Sequence, residues 1–328
     1  MGAAWTVYLG TLCPTVFYRD SPEFINTAFA LGISHPAGFP TYNLLAKALT
    51  FLPLGSVAFR VNLFSALAAV AALALVYAAA WMGLRLFSGD GEDRQKTWAA
   101  ALATGCLAFS GPFWEQSRLA EVYTLHTAFT AGILLLLLSW RVKEDVRFLY
   151  AAALTYGLSA GNHATVAFYL PAILVLFFCW SRGPHRWRDL TRCVLMFLAG
   201  LSVFLYLPVR SMAEPSFDFG NPETVEGFIY QVTDRKDEKY HFSVLRDSGV
   251  SSLAKSSSSS PSIVERSGRE LFRLVNDTWE IGKSAVLDLT RHLSPLSALG
   301  ILAGGILCWG RSRPLFLFFL IVAGVNVI

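Results

Sequence analysis

The chain has 328 residues, 54% of them hydrophobic and 15% charged, with a formal net charge of +4 and a mean hydropathy of +0.47. Soluble domains carry about 25% charged residues, so this much apolar sequence in long runs excludes an ordinary water-soluble globule and points to lipid as solvent. The small net charge, without a basic stripe outside the short loops, argues against a nucleic-acid partner. Cys13, Cys106, Cys179, Cys193 and Cys308 lie scattered in apolar segments without C-x-x-C spacing, which argues against a zinc site or a disulfide framework.

A membrane span needs about 20 mostly apolar residues. About nine stretches qualify in chain order: 2–17, 61–84, 97–113, 119–140, 147–161, 164–181, 191–209, 294–310 and 314–328. The first and fifth are short, and the last runs to the end of the chain, so the sequence reads as a piece of something longer. The first run has no basic n-region before it, which argues against a cleaved signal peptide. Met1-Gly2 with Thr6 fits the myristoylation pattern, but small-residue-rich sequence produces that by chance and a spanning protein gains little from one acyl chain. The segment 41–54 is apolar, too short to span and closed by Pro53; it reads as a re-entrant or interfacial helix. The expected architecture is an all-α integral membrane protein in three parts. Residues 1–209 form a transmembrane module with about seven spans, 210–293 a long polar loop, and 294–328 further spans.

Lysine and arginine in short loops set the orientation. Alternate connections carry four basic residues (Arg19, Lys47, Arg60, Arg118) against twelve in the others. The N-terminus is therefore expected in the cytoplasm, with loops 18–60, 114–118, 162–163 and 210–293 facing away from it. Within the last of these, Ser251 to Ser262 reads as a flexible tether and 263–289 as an amphipathic interfacial helix. Asn276-Asp277-Thr278 is a glycosylation triplet of a kind common by chance.

Polar groups next to hydrocarbon are costly, and here they collect in the outward loops. Asp20 and Glu23, three apart, share one face of a helix, where one carboxylate can serve as a general base toward a hydroxyl. The same spacing fits a capping box, with Asp20 as N-cap and Glu23 at the third helical position. His35 precedes a Pro36-Ala37-Gly38-Phe39-Pro40 turn and either acts there or bonds a loop carbonyl. Glu121 is expected in the first turn of its helix, where the dipole favours a carboxylate. Asn162 and His163 lie between two spans, as a site or as a satisfied helix-end contact. Arg60 and Arg210 sit where loops meet spans and can clamp a phosphate, or snorkel to headgroups. There is no Walker loop, H-E-x-x-H, G-x-S-x-G or Cys/His cluster, which argues against an ATP-driven pump, a zincin or a serine hydrolase.

Several stretches in common order resemble a known family. They are Leu12-Cys13-Pro14-Thr15-Val16, Asp20-Ser21-Pro22-Glu23-Phe24, His35 to Pro40, Arg60-Val61-Asn62-Leu63, Ala120-Glu121-Val122-Tyr123, Gly157 to His163, Leu207-Pro208-Val209-Arg210 and Gly220-Asn221-Pro222-Glu223-Thr224. They are similar to the GT-C-type multi-spanning membrane family that includes the vertebrate endoplasmic-reticulum protein O-mannosyltransferase acting on IPT domains. Two positions depart from the family, Pro22 where it usually has Gly and Ala37 where it usually has Pro. Pro22 suits an early helical position.

The resemblance implies a GT-C-like bundle and a polyprenyl- or dolichyl-phosphate sugar as donor. It also implies a protein or glycan acceptor hydroxyl, in a bacterial plasma membrane or the endoplasmic reticulum. It implies Asp20 as base with Glu23 as partner, and His35, Arg60, Glu121, Asn162, His163 and Arg210 as the donor or substrate shell. A divalent metal is compatible with these few carboxylates but not called for by them. Two rival readings stand beside a transferase. A transporter or flippase of a lipid-linked substrate is expected to show repeats and mid-membrane polar residues, and neither is evident. A non-catalytic assembly factor would use the same carboxylates only as caps.

Overall fold

A computed structural model describes residues 1–87, 93–181 and 185–233. The Ser-rich stretch, the amphipathic helix, the glycosylation triplet and the last two expected spans lie outside the described residues. Contacts divide the chain into two units. Residues 1–167 and 180–233 belong to the first, which holds every candidate site residue, and 168–179 belong to the second.

The described chain is helical, with a single isolated bridge between Ile33 and Asp218. The helices are α1 (Gly2–Gly10), α2 (Ser21–Ala30), α3 (Pro40–Thr50), α4 (Val57–Phe87), α5 (Asp93–Ala108) and α6 (Gly111–Ser117). They continue with α7 (Tyr123–Lys143), α8 (Val146–Ala160), α9 (Leu170–Trp180), α10 (Arg186–Leu201), α11 (Tyr206–Ser211) and α12 (Val225–Thr233). Three stretches among the described residues are long and apolar enough to cross a membrane: Val57–Leu86, Tyr123–Lys143 and Arg186–Ser211. The other expected spans in this region form shorter helices. The first is helical only as far as Gly10. The third is broken at Ser110, where Pro112 starts α6. The sixth opens with a 3-10 stretch, Ala164–Tyr169, before α9.

Segment 41–54 forms α3, which Pro40 opens and which ends before Pro53. Its apolar residues Leu44, Leu45, Phe51 and Leu54 are exposed. Helix α4 packs on α5 and α7, and α8 packs on α7 and α10. The α8–α10 contact is close because two glycines meet there. A β-carbon on Gly157 would fall 2.2 Å from the Phe197 carbonyl oxygen, and one on Gly200 would fall 2.3 Å from that of Leu154. Gly161, one turn beyond Gly157, presses in the same way on Thr41 at the start of α3, where a β-carbon would lie 2.5 Å from Oγ1. Small residues four apart thus let α8 approach two neighbours through its backbone.

Gly157→Val should lower the unfolding midpoint of the detergent-solubilised protein, with a loss on the order of 1–3 kcal/mol from overpacking. Gly83→Ala, whose new methyl meets only a Leu138 methyl at 3.9 Å, should leave the midpoint in place. A thermal melt of the two variants beside the parent checks both.

Candidate functional site

Helix α2 begins at Asp20, but the capping box does not form. Asp20 occupies the N-cap position with helical angles (φ −84°, ψ −6°), and its side chain makes no capping bond. An N-cap side chain reaches the first-turn N–H groups from an extended backbone. Here the backbone is already helical and Pro22 removes one of those N–H groups. The exposed Asp20 carboxylate is therefore not engaged in capping.

Glu23 turns instead to the His35 loop. One of its oxygens accepts from the His35 backbone N–H at 2.5 Å, and both lie 3.1 Å from the imidazole Nδ1. The imidazole packs edge-on against Phe39, with Phe24 on its other flank. The loop is shaped by Gly38 at φ +79°, whose missing side chain leaves room for Leu207, and by Phe39 in the left-handed region. Beneath it lies a buried polar network. Asn43 Nδ2 donates to Ser34 Oγ at 3.2 Å and to the Gly38 carbonyl at 3.3 Å. The Thr27 hydroxyl donates to Asn43 Oδ1, and Gln231 of α12 donates to the Ser34 carbonyl. Asp20, Glu23 and His35 each present a metal-ligating atom within 4.8 Å of the others'.

Glu121 joins this group from the turn before α7. It lies two residues ahead of the helix rather than in its first turn, because the Ser65 hydroxyl takes its N–H and donates to its carbonyl, both at 3.2 Å. The dipole reading of Glu121 is therefore replaced by a buried loop carboxylate, 3% exposed. Burial, and then the negative charge of Asp20, push its carboxyl up to about 7; Arg19 and His35 pull the other way. Arg19 is paired with Glu115 at 3.5 Å. Asn162 is fully buried and donates to the Val122 carbonyl at 3.3 Å, holding the same turn. His163 bonds Thr165 at 2.8 Å and stands beside the rings of Tyr123 and His126; burial lowers its pKa.

The two arginines lie elsewhere. Arg210 donates to the Leu31 carbonyl at 2.7 Å and the Ala30 carbonyl at 3.3 Å, at the far end of α2 from Asp20. Ten residues of helix separate those ends, about 15 Å at 1.5 Å per residue. Arg60 donates to the carbonyls of Thr50 and Leu52 at the end of α3 remote from the His35–Pro40 turn. Of the residues singled out in the sequence, the fold brings Asp20, Glu23 and His35 together, places Glu121 within electrostatic reach of Asp20 and His35, and sets Asn162 on the Val122 carbonyl and His163 beside Tyr123 and His126. The Asn43 network was missed, although an asparagine within an apolar helix was a visible signal.

These features define a class: a helical membrane protein whose carboxylate–imidazole group sits where short loop helices meet the ends of spans. The chain belongs to the family described as the protein O-mannosyl-transferase TMEM260 N-terminal domain, whose pattern matches residues 20–185. It is 34% identical over 219 residues to mouse protein O-mannosyl-transferase TMEM260, covering 64% of this chain and 30% of the mouse protein. It is 25% identical over 244 residues to protein O-mannosyl-transferase tmem260 of Dictyostelium discoideum, covering 68% of this chain and 28% of that protein. The chain thus spans under a third of the length of these relatives. No solved structure matches it. The matched region starts at Asp20 and includes every candidate site residue except Arg210.

A carboxyl raised in the fold stabilises the protein in its protonated form. That contribution is fully present below the ordinary value of 4.5 and is lost as pH rises through about 7. Glu121→Gln, which mimics the protonated acid, should therefore melt higher than the parent at pH 8 and at the same temperature near pH 4.5. Melting curves of chelator-treated protein at the two pH values check this.

Proposed function

We propose that this chain carries the catalytic part of a membrane glycosyltransferase. It would move a mannose-like sugar from a polyprenyl- or dolichyl-phosphate donor to an acceptor hydroxyl on the non-cytoplasmic side. The observation that carries the reading is the Asp20 carboxylate, exposed, not used as a helix cap, and grouped with Glu23, His35 and the buried Glu121. Membership of a family whose named members are protein O-mannosyl-transferases supports the reaction class and makes a protein hydroxyl the favoured acceptor.

In this reading Asp20 accepts the proton of the acceptor hydroxyl as its oxygen attacks the anomeric carbon. The bond from that carbon to the phosphate oxygen breaks, and the polyprenyl phosphate leaves with the electron pair, inverting the carbon. Glu23 holds His35, and the pair fixes the loop against α2. Sidedness is supported by the four-against-twelve distribution of basic residues in the short loops. It is supported too by the contacts among segments which that distribution assigns to one side. Thr41 bonds the Leu158 and Gly161 carbonyls, Asn162 bonds Val122, and Arg210 bonds Leu31.

Purified protein incubated with labelled polyprenyl-phosphate mannose and an acceptor-containing lysate should label protein. Asp20→Asn should lower that transfer by about 10²–10⁴-fold, the usual contribution of a general base, while the yield and melting point stay at parental values. Full activity in Asp20→Asn would remove Asp20 from the role of base. Movement of the lipid across proteoliposomes without transfer would favour a flippase.

A further inference from the structure

The Gly220-Asn221-Pro222-Glu223-Thr224 stretch lies beyond residues 20–185, and the chemistry proposed above makes no use of it. Thr224 starts α12. Its carbonyl accepts from the Phe228 N–H at 2.8 Å and its hydroxyl from the Gly227 N–H at 3.0 Å. Just before the stretch, Ile33 donates to the Phe217 carbonyl at 2.8 Å and accepts from the Phe219 N–H at 3.2 Å. The chain on either side of the stretch is thereby tied to the loop that carries His35, and one side chain of α12 bonds that loop.

That side chain is Gln231, fully buried and 197 residues beyond Ser34 in the chain. Its Nε2 donates to the Ser34 carbonyl at 2.6 Å. That carbonyl and the His35 N–H belong to one peptide group, and the same His35 N–H donates to Glu23 at 2.5 Å. A single amide is thus held at both ends, by a donor on its oxygen and a carboxylate on its hydrogen. Each bond polarises the group in the direction that strengthens the other. The Gln231 amide has little freedom of its own. A β-carbon on Gly220 would fall 2.3 Å from its Oε1 and one on Gly38 3.3 Å from its Nε2, and both glycines stand at φ +79°. Reversing the amide would set its oxygen against the Ser34 oxygen, and neither can donate.

Stability does not account for this residue. The bond satisfies one oxygen, that of Ser34, but the buried Gln231 Oε1 has no bonded partner among the described residues. Exchanging one unpaired oxygen for another gains nothing in folding. What it gains is a fixed peptide. We propose that Gln231 is a positioning residue of the site: it clamps the Ser34–His35 peptide on which Glu23 sets its carboxylate, and so fixes Glu23 and His35 beside Asp20. The site then extends to α12. The bearing on sugar transfer rests on the transferase reading; the peptide clamp does not.

The test reads that peptide directly. Ser34-His35 is the only Ser-His pair in the chain, so carbonyl-¹³C serine with ¹⁵N histidine labels this one peptide for nuclear magnetic resonance of the full chain in detergent. Gln231→Met, of similar shape but without a donor, should move the Ser34 carbonyl and His35 amide signals upfield. Exchange of the His35 amide with water should quicken by about tenfold, the worth of one hydrogen bond. Thr233→Val, at an exposed position in the same helix, should leave both signals in place. With labelled polyprenyl-phosphate mannose, Gln231→Met should lower kcat by about 10–10²-fold at unchanged KM for the donor, with folded protein equalised. A merely structural role would lower the yield of folded protein and leave the labelled peptide of that protein as in the parent. If Gln231→Met does not give monodisperse protein, Gln231→Asn, one methylene shorter, takes its place. Unchanged signals in the folded variant overturn the proposal, and so does parental kcat in a variant whose signals have moved. Moved signals in a protein whose parent transfers no sugar would support the clamp and count against the transferase.

Discussion

The last turn of α2 is the constraint on which the site depends. A helix leaves its final carbonyls without internal partners, and an unpaired buried carbonyl costs about 1–3 kcal/mol. At the end of α2, four carbonyls in succession are met by side chains from elsewhere. Lys47 of α3 takes Phe29, Arg210 takes Ala30 and Leu31, and Tyr206 takes Gly32. With one end held this way, the other end, bearing Asp20 and Glu23, has a fixed position relative to the spans. Helix α3 is treated alike, with Arg60 on its terminal carbonyls and Thr41 bonded to the end of α8. Short helices without much apolar area of their own become rigid supports because longer helices supply their missing donors.

This explains which parts of the site were legible in the sequence. The long spans were, because twenty apolar residues in a row admit few other structures; Val57–Leu86 and Tyr123–Lys143 follow the expected runs closely. The short helix within 41–54 was also legible, because Pro53 closes the apolar run before it is long enough to span. The polar loops were legible as places where carboxylate, amide and imidazole side chains gather. The division of labour within them was not. Asp20 and Glu23 have the spacing of a capping box, and only the backbone angles at Asp20 and the position of His35, twelve residues after Glu23, show that the carboxylates go elsewhere. An arginine at a loop–span junction has the same local sequence whether it faces a phosphate or a helix terminus. Arg60 and Arg210 meet helix termini because α2 and α3 end where they do, a tertiary fact that no local pattern carries.

The ordered motifs behind the family resemblance divide along the same line. Arg60-Val61-Asn62-Leu63 is scaffolding: Asn62 donates to the carbonyls of Cys13 and Thr15 and so ties the chain before α2 to α4. Gly157 to His163 is scaffolding for most of its length, with Gly157 against α10, Gly161 against Thr41 and Asn162 on the Val122 carbonyl. Asp20, Glu23, His35 and Glu121 are different. Asp20 makes no capping bond, and the Glu121 carboxyl is buried and its pKa raised. Glu23 and His35 hold each other rather than a helix end.

That contrast bears on why acidic groups gather here at all. The surroundings have donors in supply: the nearby arginines and lysines satisfy carbonyls, and Asn43, Thr27 and Ser34 satisfy one another. Selection for stability alone would pair Glu121 with one of those donors or replace it by an apolar residue, since burial and the neighbouring Asp20 both oppose its charge. The fold instead fixes the backbone of this turn with Ser65 on the Glu121 N–H and carbonyl and Asn162 on the Val122 carbonyl. A carboxylate whose charge is opposed both by burial and by a neighbouring acid is the arrangement expected where binding or proton transfer, rather than folding, decides the residue.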